Sequence, residues 1–151
     1  MKIVSLKMIA IFLLTPLTTM AALYEGTEAK ECFTNNENSP QQENCLSEQK
    51  IKSENKLSAL IFETEKRIKA NNIGSFNGKE EANETYGDVY SRRFLQAQEK
   101  WKEYRHELCL AVATEINEDA WDYQSYRDQC EINLNKRHME EINLMGLPPV
   151  N

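Results

Sequence analysis

The sequence of 151 residues carries 18 Lys and Arg residues against 24 Asp and Glu residues, a formal net charge of −6. An acidic surface of this kind repels nucleic acid and anionic lipids and speeds encounter with basic proteins, although acidity can also serve solubility alone. We therefore expect neither a nucleic-acid partner nor a lipid surface.

Residues 1–21 have the pattern of an export signal. Lys2 and Lys7 supply a basic start, an apolar run follows, and small residues up to Ala21 suit cleavage by an export peptidase. The apolar run is shorter than the roughly 20 residues that span a bilayer, so a retained membrane anchor is the alternative that we set aside. We expect cleavage, a mature chain of residues 22–151 without a membrane anchor, and a periplasmic or secreted location.

The mature chain is more acidic than the whole sequence and contains all of the cysteines. Without the two lysines of the signal it keeps 16 basic against 24 acidic residues, a net charge of −8. Four cysteines on an exported chain favour two disulfides, and three connectivities are possible. The sequence contains no C-x-x-C pair, so neither a redox-active dithiol nor a zinc site is indicated.

The first half of the mature chain is predicted to be coil followed by one long helix. Residues 22–40 lack an apolar period and are rich in turn-forming residues, so we expect coil. A helix is predicted over 41–70, with a polar first half that Cys45 and Leu46 pin to the rest of the molecule. The apolar stripe of its second half consists of Leu57, Leu60, Ile61, Thr64 and Ile68.

Residues 71–86 combine turn-forming Asn and Gly with two isolated apolar side chains. Such side chains either tuck against the scaffold as anchors or protrude as a binding wedge, since binding groups concentrate on loops carried by rigid scaffolds. We take the wedge as the candidate partner-binding element. It consists of Ile73, Phe76, Lys79, Glu80 and Glu81.

Two further helices are predicted after this loop. Residues 88–145 contain neither Gly nor Pro and would form a rod of about 85 Å if unbroken, which a chain of this size cannot support. We expect a break at 116–119, where Asn117 ends one helix (88–116) and Asp119 caps the next (120–145). The predicted buried stripes are Tyr90, Phe94, Ala97, Trp101, Tyr104, Leu108 and Val112 in the first, and Tyr123, Tyr126, Cys130, Leu134, Ile142 and Met145 in the second.

These elements predict an all-α fold, a compact bundle of three main helices that forms a single domain over residues 22–151. On folding, a mature chain of this length buries more than about 60% of the surface that the unfolded chain exposes. We therefore expect the core to form without a metal or a partner.

Little in the sequence indicates catalysis. The two histidines, His106 and His138, lie within charged helical segments, where solvated side chains are expected. The sequence contains no H-E-x-x-H, G-x-S-x-G or phosphate-binding glycine loop, and its abundant acidic pairs carry no sign of a sugar cleft. We predict a protein that is not an enzyme, with no catalytic residue, metal or cofactor, and keep a hydrolase as the remote alternative.

A pattern of polar and aromatic residues in the 88–116 helix resembles a known family. Read as L-x-A-Q-x-x-W-x-x-Y-R-x-x-x-C, it is similar to the signature of the LprI-type lysozyme inhibitor domain, and the segment 32–45 resembles that family's first cysteine pair. The matching positions are Leu95, Ala97, Gln98, Trp101, Tyr104, Arg105 and Cys109.

The chain departs from the family pattern at two places. The segment between the third and fourth cysteines has no glycine where family members usually carry a pair, and Asn135 and His138 replace a usual Thr-x-x-Arg. We expect the two polar signature residues to be structural. Gln98 would hydrogen-bond to backbone, and Arg105 would pair with a carboxylate and fix the helix register.

The resemblance implies a scaffold closed by the disulfides Cys32–Cys45 and Cys109–Cys130, each of which brackets a plausible turn. It also implies an exported protein that blocks lysozyme by surface complementarity, and a basic lysozyme would suit the acidic chain. The alternative is a protein of the same fold directed at another peptidoglycan hydrolase, such as an immunity protein against a toxin, or at a periplasmic partner.

Overall fold

The computed structural model describes residues 22–78 and 83–150, and the export signal predicted for 1–21 lies outside the described residues. Within them the only extended pairing is one isolated bridge, so the predicted all-α fold class is confirmed for this part of the chain. No helix in these two ranges is both long and apolar enough to cross a bilayer. The helices are α1 (Thr27–Asn35), α2 (Ser39–Asn71), α3 (Tyr86–Ala113) and α4 (Tyr123–Asn143), with a 3-10 turn at Phe76–Gly78.

Helices α2, α3 and α4 are the three main helices of the prediction, and each pair of them is in contact. Their starts follow from local capping. The side chain of Asn38 accepts a hydrogen bond from the Gln41 backbone N–H at 3.1 Å, which caps α2. Thr85 and Asp88 form a reciprocal capping box at the start of α3, each side chain accepting from the backbone N–H of the other.

The prediction of coil over residues 22–40 is wrong, because α1 forms within that segment. Its apolar side chains Ala29, Cys32 and Phe33 do follow a helical spacing, but they span little more than one turn among turn-forming residues, and only Cys32 is buried. It is held by apolar, covalent and polar contacts. Cys32 packs with Leu46 and Ile132 and is bonded to Cys45 of α2. The Ala29 backbone N–H donates to Gln129 Oε1 of α4 at 2.7 Å. A search for hydrophobic periodicity misses a helix of this kind.

Both disulfides have the expected pairing. Cys32 is bonded to Cys45 and Cys109 to Cys130, with Cα atoms 5.6 Å apart in each pair. The first disulfide attaches α1 to the start of α2, and the second joins the end of α3 to the first turns of α4. Both therefore lie toward the end of the bundle opposite the α2–α3 loop.

The break between the last two helices differs from its predicted details. Helix α3 ends at Ala113, and α4 begins after Asp122, not after Asp119. Asn117 and Asp119 form a turn inside the connection, because Asn117 Oδ1 accepts from the Asp119 backbone N–H at 3.2 Å. After α4, Gly146 adopts a positive φ of 63°, which ends the helical run as predicted.

The predicted stripe of α2 is confirmed, with three of its residues buried and Leu60 and Ile61 packed against the core. The predicted stripe of α3 is partly wrong, because Tyr90, Ala97 and Tyr104 are exposed. At Tyr90 and Ala97 the buried residue is the next one along the chain, so the buried face includes the polar side chains of Ser91 and Gln98. Its members are Gly87, Ser91, Phe94, Gln98, Cys109 and Ala113, together with Val89 near the start of the helix.

Candidate functional site

The polar signature residues of α3 lie inside the bundle, against α4. The rings of Trp101 and His138 are stacked with centroids 3.9 Å apart. His138 Nε2 lies 2.7 Å from Gln98 Oε1, and its Nδ1 lies 2.8 Å from the carboxylate of Glu141. Both Gln98 and His138 are buried, so the pair is an interior contact between two helices.

Arg105 connects all three main helices. Its guanidinium donates to Asn135 Oδ1 of α4 at 2.7 Å and to Glu54 Oε1 of α2 at 3.3 Å, and it lies 3.6 Å from the buried carboxylate of Glu131. Asn135 in turn donates to Ser53 Oγ of α2 at 3.2 Å. The arrangement is a continuous polar seam through the centre of the bundle.

The seam continues to Lys50, whose ammonium lies 3.4 Å from both Asp128 and Glu131. Burial by itself would lower the pKa of Lys50, but the charges of Glu131 and Asp128 outweigh it, so the pKa lies above its usual value. Lys50 therefore stays charged between two buried carboxylates, which compensates the cost of burying them.

These contacts can be compared with the roles predicted for the polar residues. Arg105 pairs with carboxylates, as predicted. Gln98 meets the side chain of His138 rather than backbone, and His138 is buried rather than solvated, so those two predictions are wrong. His106 is exposed, as predicted. Asn135 and His138 lie three residues apart and therefore share one face of α4. This spacing is the sequence pattern that could have predicted a buried polar face there, and with it the contact between His138 and Gln98.

The remaining signature residues divide between core and surface. Leu95 packs against the apolar core, whereas Ala97 and Tyr104 face outward. The signature therefore does not form one surface patch. In this chain it mainly describes how α3 packs against its neighbours.

The loop between α2 and α3 is held at its base by backbone hydrogen bonds. The Tyr86 N–H donates to the Gly74 carbonyl at 2.9 Å, and the Gly87 N–H donates to the Asn72 carbonyl at 2.8 Å. Further out, the Phe76 N–H donates to the Glu84 carbonyl at 2.9 Å. The two arms of the loop therefore run side by side, and both are joined directly to helix ends.

The two apolar side chains of this loop behave differently. Phe76 is half-buried and packs edge-to-face on Tyr86, with ring centroids 5.4 Å apart, so it is an anchor. Ile73 is 80% exposed and protrudes. The other predicted members of the wedge, Lys79, Glu80 and Glu81, lie outside the described residues. The structure thus separates one anchor from one protruding side chain.

A groove among the described residues is lined by charged side chains that pair with each other. This groove, of about 420 Å³, lies between α2 and α3. There Glu65 pairs with Lys69 at 2.8 Å and accepts from Ser91 at 3.1 Å, so its principal charged groups already bind each other. Within residues 22–78 and 83–150, no cluster of three or more His, Cys, Asp or Glu side chains could hold a metal ion.

No protein-family model, curated protein sequence or solved structure matches this chain. The site is therefore interpreted from its own residues. The polar groups of the seam contact each other inside the bundle, so the groups that can contact a partner lie at the surface. Among the described residues of the α2–α3 loop, Ile73 is the most exposed apolar side chain.

Proposed function

We propose that this chain is an exported binding protein that inhibits lysozyme by surface complementarity, with the loop of residues 72–85 entering the enzyme's sugar cleft or its approach. The observation that carries the proposal is the exposure of Ile73, 80% of whose surface is open on a loop tied to two helices. An apolar side chain presented in this way is the kind of anchor that fills a pocket in a partner.

Contacts at the base of the loop fix the position of its two arms before a partner binds. Three backbone hydrogen bonds join its arms, and Phe76 fills the space against Tyr86. A loop that is already ordered loses less conformational entropy when it binds, so more of its contact energy contributes to affinity. The described arms of the loop, 72–78 and 83–85, would gain in this way, which supports a role for Ile73 as a pre-positioned contact.

The internal contacts favour a binding role over a catalytic one. The titratable side chains of the seam, including Glu131 and His138, face each other inside the bundle and not a cleft. A glycosidase would need two carboxyl groups on either side of a sugar cleft at a defined separation. Two disulfides suit a chain that works in an oxidising compartment outside the cytosol, which supports export.

A protein of the same fold could instead block a different peptidoglycan hydrolase, for example as immunity against a competitor's toxin. The apolar character of Ile73 favours keeping this candidate, because an aliphatic tip does not require a basic cleft in the target. The resemblance to lysozyme inhibitors is what places lysozyme first.

The experiment is to titrate the mature, disulfide-bonded chain into animal and bacterial lysozymes and to follow the lysis of cell-wall suspensions. We expect the lysis rate to fall with added protein until the enzyme is saturated. Unchanged rates at about tenfold molar excess, for every lysozyme tested, would refute lysozyme inhibition. Inhibition of another peptidoglycan hydrolase in the same assay would then support the alternative.

A further inference from the structure

The end of the bundle opposite the loop exposes two aromatic rings in contact. We call this part, residues 31–49 and 106–126, the disulfide end. Phe33 of α1 is 37% exposed and Trp121 of the α3–α4 connection is 56% exposed, with ring centroids 6.5 Å apart at an angle of 64°. Large aromatic side chains at the surface are typical of the centres of protein interfaces.

Both rings are carried by covalently closed segments. Phe33 follows Cys32, which is buried and bonded to Cys45 of α2. Trp121 lies in the connection that the Cys109–Cys130 disulfide closes. Because the segments are fixed before any partner arrives, the rings can serve as anchors at a low cost in conformational entropy.

The two segments that carry these rings bear charge of one sign, although basic residues lie at their borders, among them Lys30, one turn before Phe33 on α1. The disulfide end contains nine carboxylates and neither Lys nor Arg, whereas the rest of the mature chain carries 15 acidic and 16 basic residues. The net negative charge of the mature chain is therefore concentrated at this end. The nine carboxylates belong to Glu31, Glu37, Glu43, Glu48, Glu107, Glu115, Glu118, Asp119 and Asp122.

The ion pairs of the molecule lie elsewhere. None of those nine carboxylates takes part in an ion pair within the described residues. One of them, Glu115, lies near Tyr24 at the edge of the disulfide end, and its charge raises the pKa of Tyr24 above the usual value. Tyr24 also stacks on Tyr126 with ring centroids 4.6 Å apart, which extends the aromatic surface.

We infer that the disulfide end is a second interaction surface, which binds a folded basic protein with Trp121 and Phe33 at its centre. Arg or Lys side chains of the partner would stack on the exposed indole, and the surrounding carboxylates would steer the encounter. A second copy of this chain, nucleic acid and an anionic membrane all carry negative charge, and this charge opposes their binding to the disulfide end. The inference rests on the proposed function only in taking a lysozyme as the first basic partner to test.

Exposure alone does not single out this surface, because Tyr104 on α3 is also 56% exposed. Its sequence neighbours include Lys100, Lys102 and Arg105 as well as acidic residues, so the charge around it is mixed. Tyr104 is thus a matched control: an equally exposed aromatic side chain without a field of one sign.

The experiment measures association and dissociation rates of the mature chain with a basic animal lysozyme and with cytochrome c, a basic protein that is not a muramidase. Trp121→Ala is compared with Tyr104→Ala, and the pair Glu118→Lys/Asp119→Lys with Glu103→Lys/Glu140→Lys, which changes the net charge equally. All four carboxylates are exposed and outside the ion pairs described above. Circular dichroism checks that each variant is folded.

We expect both basic proteins to bind, and more weakly as salt rises. Trp121→Ala should weaken cytochrome c binding by about tenfold or more, whereas Tyr104→Ala should change it less than about twofold. The Glu118/Asp119 reversal should slow association about tenfold, and the Glu103/Glu140 reversal by clearly less. Wild-type protein that binds neither basic protein at low salt would overturn the inference. So would equal effects of each variant and its control.

Lysis assays on the same variants separate this inference from the proposed function. Binding of both basic proteins that depends on Trp121, without inhibition of any lysozyme, would leave the second surface standing and refute the proposed function. Lysozyme inhibition with binding that is unaffected by Trp121→Ala and by the Glu118/Asp119 reversal would do the opposite.

Discussion

The imidazole of His138 lies parallel to the indole of Trp101, with ring centroids 3.9 Å apart and planes within 8° of each other. The guanidinium of Arg105 lies over the same indole, 5.5 Å from its centre. A shift of either helix by one residue would separate the stacked rings and also break the contact between His138 and Gln98. These side chains therefore fix how α3 and α4 are aligned.

The seam should be sensitive to the loss of Arg105. Arg105→Ala removes the partner of Asn135 and leaves Glu131, almost fully buried, with Lys50 alone. We expect a loss of about 3 kcal/mol in the free energy of unfolding, because a buried carboxylate loses charge compensation. Urea denaturation followed by circular dichroism measures it.

The matched control is Lys102→Ala, which removes an exposed ion pair with Glu99 on the same helix. An exposed pair contributes about 0–1 kcal/mol, so this variant should unfold close to wild type. Equal midpoints for Arg105→Ala and Lys102→Ala would mean that the seam adds nothing to stability.

Sequence patterns predict the elements of this bundle well where apolar side chains are buried, and poorly where polar ones are. The stripe of Leu57 and Ile68 in α2 is correct because the hydrophobic effect alone determines that face. On α3 the bundle buries Ser91 and Gln98 beside Phe94, so the most apolar stripe of the sequence coincides only partly with the buried face. Partners such as His138 come from another helix, so the sequence of α3 alone does not identify them.

The same reasoning applies to the surface. Turn-forming residues identify the α2–α3 loop, but whether Ile73 or Phe76 protrudes depends on the position of Tyr86, which periodicity does not predict. The acidic disulfide end is visible in the sequence only as two separate segments without Lys or Arg. Their proximity follows from α1, a helix whose apolar pattern spans little more than one turn, and from the contact of Phe33 with Trp121.

The junction of α2 and α3 should not tolerate a side chain at Gly87. A Cβ there would lie 3.0 Å from both the carbonyl oxygen of Asn72 and the Cα of Lys69, and neither backbone atom can move freely. We expect Gly87→Ala to destabilise the protein by about 1–3 kcal/mol, although alanine favours helix. Gly74→Ala is the control in thermal denaturation, because its Cβ would meet only a Tyr86 ring atom at 3.7 Å. A melting temperature for Gly87→Ala at or above wild type would contradict the close approach.

Stability should fall in acid partly through Glu28. Burial by itself raises the pKa of Glu28, but hydrogen bonds from Lys136 and Gln129 outweigh it and hold the pKa below its usual value. A carboxylate with a lowered pKa stabilises the fold above its unfolded pKa of about 4.3, and this contribution is lost as the pH falls through the folded pKa. Glu28→Gln should therefore lose less stability than wild type below about pH 5 in urea titrations.

The control for this pH dependence is Glu31→Gln, an exposed residue of the same helix that forms no ion pair within the described residues. Its stability profile should follow that of wild type through the acid range. Superimposable profiles for Glu28→Gln and wild type would show that the contact with Lys136 does not affect folding.

Loss of each disulfide should destabilise a different part of the molecule. Cys32→Ser/Cys45→Ser frees α1, which otherwise contacts the bundle mainly through side chains such as Gln129. We expect amide exchange to accelerate in α1 while α2, α3 and α4 keep their protection. Cys109→Ser/Cys130→Ser should instead lower the stability of the whole bundle, by about 3 kcal/mol. Hydrogen exchange detected by mass spectrometry distinguishes the two, and unchanged exchange in α1 after loss of the first disulfide would contradict this division.

The proposed inhibition should depend on Ile73, the protruding apolar side chain of the α2–α3 loop. Because Ile73 is so exposed, Ile73→Ala should leave the free energy of unfolding within about 0.5 kcal/mol of wild type. Loss of a central anchor should nevertheless weaken inhibition about tenfold or more, read as the inhibitor concentration that halves the lysis rate. The matched control is Ile51→Ala, an exposed isoleucine on α2 that lies about 30 Å away along the helix. Parallel losses in both variants, or none in Ile73→Ala, would remove the loop from the inhibitory surface even if the protein inhibits lysozyme.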